Sequence, residues 1–306
     1  MSNLRGVFTA IVTPFTADGS RVDEARLIEQ IEFQANPPSG EKGVNGIVPV
    51  GTTGESPTLS GDEQKRVIEL GIEHGHRLGL TVIAGAGSNN TAHAVEMQKF
   101  ATSAGADYTL SVTPYYNKPN QEGMYRHFMA VADAADIGVM VYNIPGRSAA
   151  GLTVETVARL AAHPNIVAVK EATGSVAHAS ETIQACPDVD VLSGDDPLTL
   201  PIISVGGVGV VSVISNLAPD RVRKMVDLAM AGDFAAAQVE HNALYGLAKS
   251  LLSLEPNPVG VKTAMRMLGR DGGALRLPLA PASSGSVEQI GALLDAAGLL
   301  GAPATA

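Results

Sequence analysis

Eight times within the first 231 residues, a short apolar run is followed by a longer amphipathic one. The short runs fall at 7–12, 46–50, 81–84, 108–112, 138–142, 166–170, 189–193 and 209–213. The longer runs fall at 22–34, 60–78, 91–104, 121–135, 153–162, 176–185, 198–205 and 219–231. Runs near five residues that lack polar alternation suit strands buried on both faces, and spacing near 3.6 suits helices. Regular strand–helix alternation implies a parallel sheet, and eight units imply closure into a (β/α)8 TIM barrel. The alternative, an open doubly wound sheet, usually carries a Gly-rich dinucleotide turn after strand one. Here strand one runs into Thr13-Pro14-Phe15, and the stretch AGAGSNN after strand three is an incomplete fingerprint. Residues 1–231 are therefore read as the barrel, and 232–306 as a C-terminal helical extension with helices at 234–254, 259–268 and 287–297. The Pro/Gly-rich segment at 36–42 interrupts the rhythm and reads as a loop insertion.

Composition narrows the function. Hydrophobic residues make up 45% of the 306, with no Trp, so the core is aliphatic. A formal net charge of −10 disfavours nucleic acid and anionic membranes as partners. The single cysteine, Cys186, permits no intrachain disulfide and fits a reducing compartment. No run has the length of a membrane span, and the first residues lack the apolar stretch of a signal peptide. The expectation is a soluble cytoplasmic protein.

Active sites of such barrels lie at the C-terminal ends of the strands. The sequence there reads Gly51-Thr52-Thr53-Gly54-Glu55, Thr113-Pro114-Tyr115-Tyr116-Asn117, Tyr142-Asn143-Ile144-Pro145-Gly146-Arg147, Lys170-Glu171-Ala172-Thr173-Gly174 and Gly194-Asp195-Asp196. Lys170 ends an apolar strand at a low-dielectric barrel mouth, where desolvation lowers an amine's pKa and leaves it nucleophilic. A lysine at a strand end can equally be a partner for a carboxylate. The small-residue turn at Thr52 and Thr53 can present backbone N–H groups to a carboxylate, or be an ordinary connection. Tyr142 could move protons if a chain of hydroxyls, from Thr52 and Tyr116, lowers the demand on a phenol whose ordinary pKa is near 10. Arg147, in a Pro/Gly loop, is suited to fork a carboxylate. Glu55 reads as structural. No histidine ends a strand, His74 and His76 point apart on their helix, and one acidic pair is weak evidence for a cation site. No metal and no cofactor is expected.

The motifs GTTGES, TPYYNKP, YNIPGR, KEATG, LSGDD and EPNPVGVK, in this order, closely resemble the dihydrodipicolinate synthase family of the pyruvate-dependent aldolase superfamily. The resemblance covers nearly the whole chain. It implies that Lys170 is the Schiff-base lysine and Tyr142 the proton-transferring tyrosine, with Thr52 and Tyr116 completing the relay. It implies that Tyr116 reaches in from a partner subunit, Thr53 and Val211 line the pyruvate site, and Arg147 holds the carboxylate of the aldehyde. Gly194 joins them as a substrate-binding position. The implied reaction condenses pyruvate with L-aspartate 4-semialdehyde in lysine biosynthesis, in a homotetramer built as a pair of tight dimers. Related aldolases use N-acetylneuraminate, 4-hydroxy-2-oxoglutarate or 2-keto-3-deoxy sugar acids. Thr52 and Arg147 count against the first, whose branch reads GSTGE and lacks the arginine. A catalytically dead barrel would lack some of the Lys170, Tyr142, Thr52 and Tyr116 set, which is complete here. Lysine-inhibited relatives place histidines and a glutamate where this chain has Gly61, Gln64 and His93, which implies weak feedback by lysine.

Overall fold

A computed structural model describes residues 4–270 and 272–300. It opens with β1 (Gly6–Ala10), α1 (Glu24–Ala35), β2 (Gly46–Val48), α2 (Gly61–Arg77), β3 (Thr81–Gly85) and α3 (Thr91–Ala104). It continues through β4 (Tyr108–Val112), α4 (Gln121–Ala132), β5 (Gly138–Asn143), a four-residue helix α5 (Pro145–Ser148) and α6 (Val154–Ala161). The last barrel elements are β6 (Ile166–Glu171), α7 (Val176–Ala185), β7 (Asp190–Ser193), α8 (Thr199–Ser204), β8 (Gly209–Ser212) and α9 (Pro219–Met230). Helices α10 (Phe234–Leu254), α11 (Val259–Met267) and α12 (Ser284–Ala296) follow. Asp271 and 301–306, part of the expected C-terminal region, lie outside the described residues, as do 1–3.

All eight strands pair in parallel with their sequence neighbours, and β8 pairs with β1 to close the barrel. Closure excludes the open-sheet alternative. The seam is made by two facing glycines, Gly6 and Gly209. A Cβ on Gly209 would stand 2.0 Å from the Gly6 carbonyl, so a side chain there would push the closing strands apart.

Local signals account for the helix starts. Asp23, Ser60, Asn90, Asn120, Thr153, Ser175, Asp233 and Ser283 each accept an N–H of the helix that follows. Ser60 and Glu63 form the expected reciprocal capping box. These caps also correct the expected boundaries. Helix α1 begins after Asp23 because Val22 is held in a bridge with Phe15, and α12 begins at Ser284 because Ser283 caps it. A short α-helix was missed, besides three 3-10 turns among the described residues. Arg147 lies in the helical turn α5 rather than a loop, because Pro145 at its first position presets the helical φ.

Side chains alternate between the barrel interior and the helix layer. Phe8, Ala10, Val48, Ile83, Leu110, Met140, Tyr142, Ala168, Leu192 and Val211 fill the interior. Outside, one apolar cluster runs from Val7 and Ile47 through Met225 to Leu247, Met265 and Leu294, joining the strands to α10–α12. The segment 36–42 is a turn exposed except at Pro37. No helix among the described residues is long and apolar enough to cross a membrane.

Candidate active site

Tyr142 and Lys170 face each other across the β5–β6 pairing. They share the inward parity of Met140 and Ala168, so both side chains enter the mouth of the barrel. The Lys170 amine lies 4.0 Å from the centre of the Tyr142 ring. Both residues are buried, Lys170 to 5% exposure. Among the described residues no carboxylate pairs with Lys170. Burial, aided by the Arg147 charge and opposed by Asp196, lowers its pKa to about 7. Burial pushes the Tyr142 phenol up, although Arg147 pulls it down.

The nearby carboxylates are engaged elsewhere. Glu171 has the opposite strand parity and binds His178 Nδ1 at 2.9 Å and the Thr173 N–H at 2.7 Å. That contact raises the His178 pKa. Asp196 accepts the N–H groups of Val213 and Ile214. Burial raises the pKa of both Asp195 and Asp196. No group of His, Cys, Asp and Glu among the described residues could hold a metal ion.

Gly194 makes room for the amine. A Cβ there would lie 2.9 Å from Lys170 Cγ and 3.0 Å from Cε. Val211, opposite Phe8 at the β1–β8 seam, is a wall of the same interior.

The turn after β2 closes another side. Thr53 is buried and Thr52 half-buried. Among the described residues the N–H groups of both have no acceptor in the protein. Such a turn can receive a carboxylate. Thr13 Oγ1 donates to the Gly54 carbonyl at 2.7 Å, and Asn257 Nδ2 donates to Thr53 Oγ1 at 2.9 Å. Asn257 Oδ1 is buried without a partner. Sequence reading did not single out Asn257. Its only signal was its place in EPNPVGVK, 204 positions from the residue it touches.

Two expected residues stand apart. Tyr116 is 88% exposed and has a φ of 73°. The Asn117 N–H donates to the Tyr115 carbonyl, so Tyr116 is the centre of a γ-turn, a strained backbone state. Asn89 and Asn117 hold that turn through each other's backbone segments. The hydroxyls of Thr52, Tyr116 and Tyr142 form no hydrogen bonds with one another in the single chain. Arg147 is exposed at the rim, and among the described residues its guanidinium has no hydrogen-bonded or ion-paired partner.

Residues 3–297 match the model of the dihydrodipicolinate synthetase family. The chain belongs to this family. It is 47% identical over 291 residues to 4-hydroxy-tetrahydrodipicolinate synthase of Citrifermentans bemidjiense, covering 95% of this chain and 97% of that protein. A solved dihydrodipicolinate synthase superposes with a TM-score of 0.91 at 46% identity, covering 97% of this chain and all of that one. The 4-hydroxy-tetrahydrodipicolinate synthase of Methylacidiphilum fumariolicum has the same TM-score at 43% identity, over 97% of this chain and 96% of its own. The barrel thus gathers the GTTGES, YNIPGR, KEATG and LSGDD motifs of this dihydrodipicolinate synthetase family member at one rim.

Proposed function

We propose that this chain is a Schiff-base lyase that condenses pyruvate with L-aspartate 4-semialdehyde to 4-hydroxy-tetrahydrodipicolinate. The observation that carries the reading is Lys170, a buried amine that no carboxylate pairs with among the described residues and whose pKa is about 7. At neutral pH much of it is uncharged and able to attack a ketone.

Lys170 Nζ adds to the pyruvate ketone, and loss of water leaves the imine. The methyl carbon gives up a proton to become the enamine carbon. That carbon bonds to the aldehyde carbon of the second substrate, whose oxygen takes a proton and becomes the 4-hydroxyl. The amine of the second substrate then adds to the imine carbon, closes the ring and releases Lys170. Tyr142 transfers the protons. Its buried phenol is a poor unaided base, so Thr52 and Tyr116 relay the proton onward. The Thr53 turn holds the pyruvate carboxylate, Val211 and Gly194 shape the space beside it, and Arg147 takes the aldehyde's carboxylate.

Tyr116 points to an assembly. An exposed phenol on a strained turn serves a site built from two subunits, in a homotetramer made of paired dimers. Residues 1–231 carry the chemistry on the barrel, with 232–306 as its helical extension, in a cytoplasmic enzyme. Gln64 and His93 border a cavity of about 210 Å³ with Tyr115, and Gly61 is not among its lining residues. Lacking an acidic group at these positions, the enzyme is expected to show weak or absent inhibition by L-lysine. Micromolar inhibition in a steady-state assay would contradict this.

Incubation with pyruvate and borohydride should add one reduced adduct to the intact mass, located at Lys170. An unmodified chain sinks the reading. Turnover of L-aspartate 4-semialdehyde should exceed that of N-acetylneuraminate and 2-keto-3-deoxygluconate. The opposite order would move the chain to another branch of the superfamily.

A further inference from the structure

The turn that carries Thr52 and Thr53 ends on a charged residue buried where water cannot reach it. Glu55 is 1% exposed and has a left-handed backbone, φ 54°. Its carboxylate forms an ion pair with Lys262, which comes from α11 and is also 1% exposed. Lys262 donates in addition to the Ala274 carbonyl at 2.9 Å and lies over the Phe15 ring, 4.6 Å from its centre. The other Glu55 oxygen accepts the Arg276 N–H at 3.3 Å. Arg276 in turn donates to the Thr58 carbonyl at 3.0 Å and to both oxygens of Glu63 at 2.7 Å. Among the partners of this turn, Phe15 comes from the exit of β1, and Lys262, Ala274 and Arg276 come from beyond residue 260.

An unpaired carboxylate at this depth would have to turn toward water or take up a proton. Turning toward water would rotate Glu55, whose N–H donates to the Thr52 carbonyl at 3.1 Å, and would carry with it the peptide that holds the Thr53 N–H. Gly54 is held on the other side, where its carbonyl accepts from Thr13 Oγ1 at 2.7 Å. We infer that Lys262 and Glu55 are a positioning pair for the pyruvate carboxylate. The C-terminal helices, through this ion pair, set the direction of the Thr52 and Thr53 donors without touching substrate. The inference rests on the reading of that turn as the carboxylate site.

The test uses the full chain and single-turnover trapping with borohydride at a series of pyruvate concentrations. Lys262→Met, Glu55→Gln and the double variant are compared with Lys262→Arg, which keeps the charge. Replacing both partners leaves no orphaned charge, so the double variant remains informative if a single one does not fold. A misaimed donor pair should raise the half-saturating pyruvate concentration about 10- to 100-fold. The saturated trapping rate and its pH midpoint should stay near wild type, and Lys262→Arg should recover most of the loss. A merely structural pair would change the amount of folded protein and leave the half-saturating concentration alone. Methyl pyruvate separates the two ideas. If the turn does not bind a carboxylate, wild type will treat the ester and the acid alike. If the turn does bind it but the pair has no positioning role, a folded double variant will prefer the acid as strongly as wild type does, and the inference fails.

Discussion

Two lysines are buried among the described residues, one in the barrel mouth and one on α11, and they have opposite surroundings. Lys262 is 1% exposed and meets the Glu55 carboxylate, a carbonyl and an aromatic face. Lys170 is 5% exposed and meets a tyrosine ring and the space left by Gly194, and among the described residues no carboxylate pairs with it. Burial of an ammonium is tolerated when an opposite charge accompanies it, and otherwise favours loss of the proton. The first arrangement makes an ion pair that joins distant parts of the chain. The second leaves an amine that the proposed function uses as its nucleophile. On the proposed function, a buried lysine is catalytic or structural according to whether the fold pairs it with a counter-charge.

Replacing each lysine by methionine should separate the two roles. Lys170→Met should abolish pyruvate trapping and cut turnover by roughly 10⁴-fold or more. Its unfolding midpoint should hold or rise, because an apolar side chain suits an apolar site. A variant that still traps pyruvate on the protein would break the comparison. Lys262→Met should do the reverse to stability. Leaving Glu55 buried and unpaired should cost about 3–5 kcal/mol in denaturant unfolding, with part returned by adding Glu55→Gln. A neutral Lys262→Met would mean that the pair contributes nothing to folding.

Arg147→Ala probes the charge that faces the lysine mouth. Loss of a charge-assisted contact should raise the KM for the aldehyde about 10- to 100-fold. Because the Arg147 charge helps to lower the Lys170 pKa, the midpoint for imine formation should move upward in this variant. Equal losses in pyruvate trapping and in aldehyde use would argue against the assigned role.

The last comparison is in pH dependence. The Lys170 pKa falls from an ordinary 10.5 to about 7 in the folded chain. Between those values the unfolded chain holds a proton that the folded chain has released. Stability should therefore gain from this group as pH rises from about 7 toward 10.5, with the full penalty present below that window. Trapping of pyruvate should rise through pH about 7 as the free amine forms. Lys170→Met should remove that part of the stability slope, seen as a flatter denaturant midpoint against pH.

Much of the site was legible because barrels place function at strand ends. Counting eight strands puts Lys170, Tyr142, Thr53 and Gly194 on the strand-end rim, and the family resemblance supplied the roles expected of them. Glu55 was read as structural, and its carboxylate is buried in an ion pair. Arg147 was assigned a loop because a four-residue helix has too short a period to detect. Asn257 and Lys262 were not singled out. Nothing local in EPNPVGVK marks a residue whose partners lie more than 200 positions away.

The sequence by itself determined the alternation of strands and helices, and with it the rim on which the polar motifs gather. Periodicity and capping are short-range properties, and the parity of a strand follows from its register. Only the tertiary structure decided what each buried charge meets. It set Lys170 beside a ring and a glycine and gave Lys262 a carboxylate, because long-range packing assigns the neighbours that decide whether a buried amine keeps its proton.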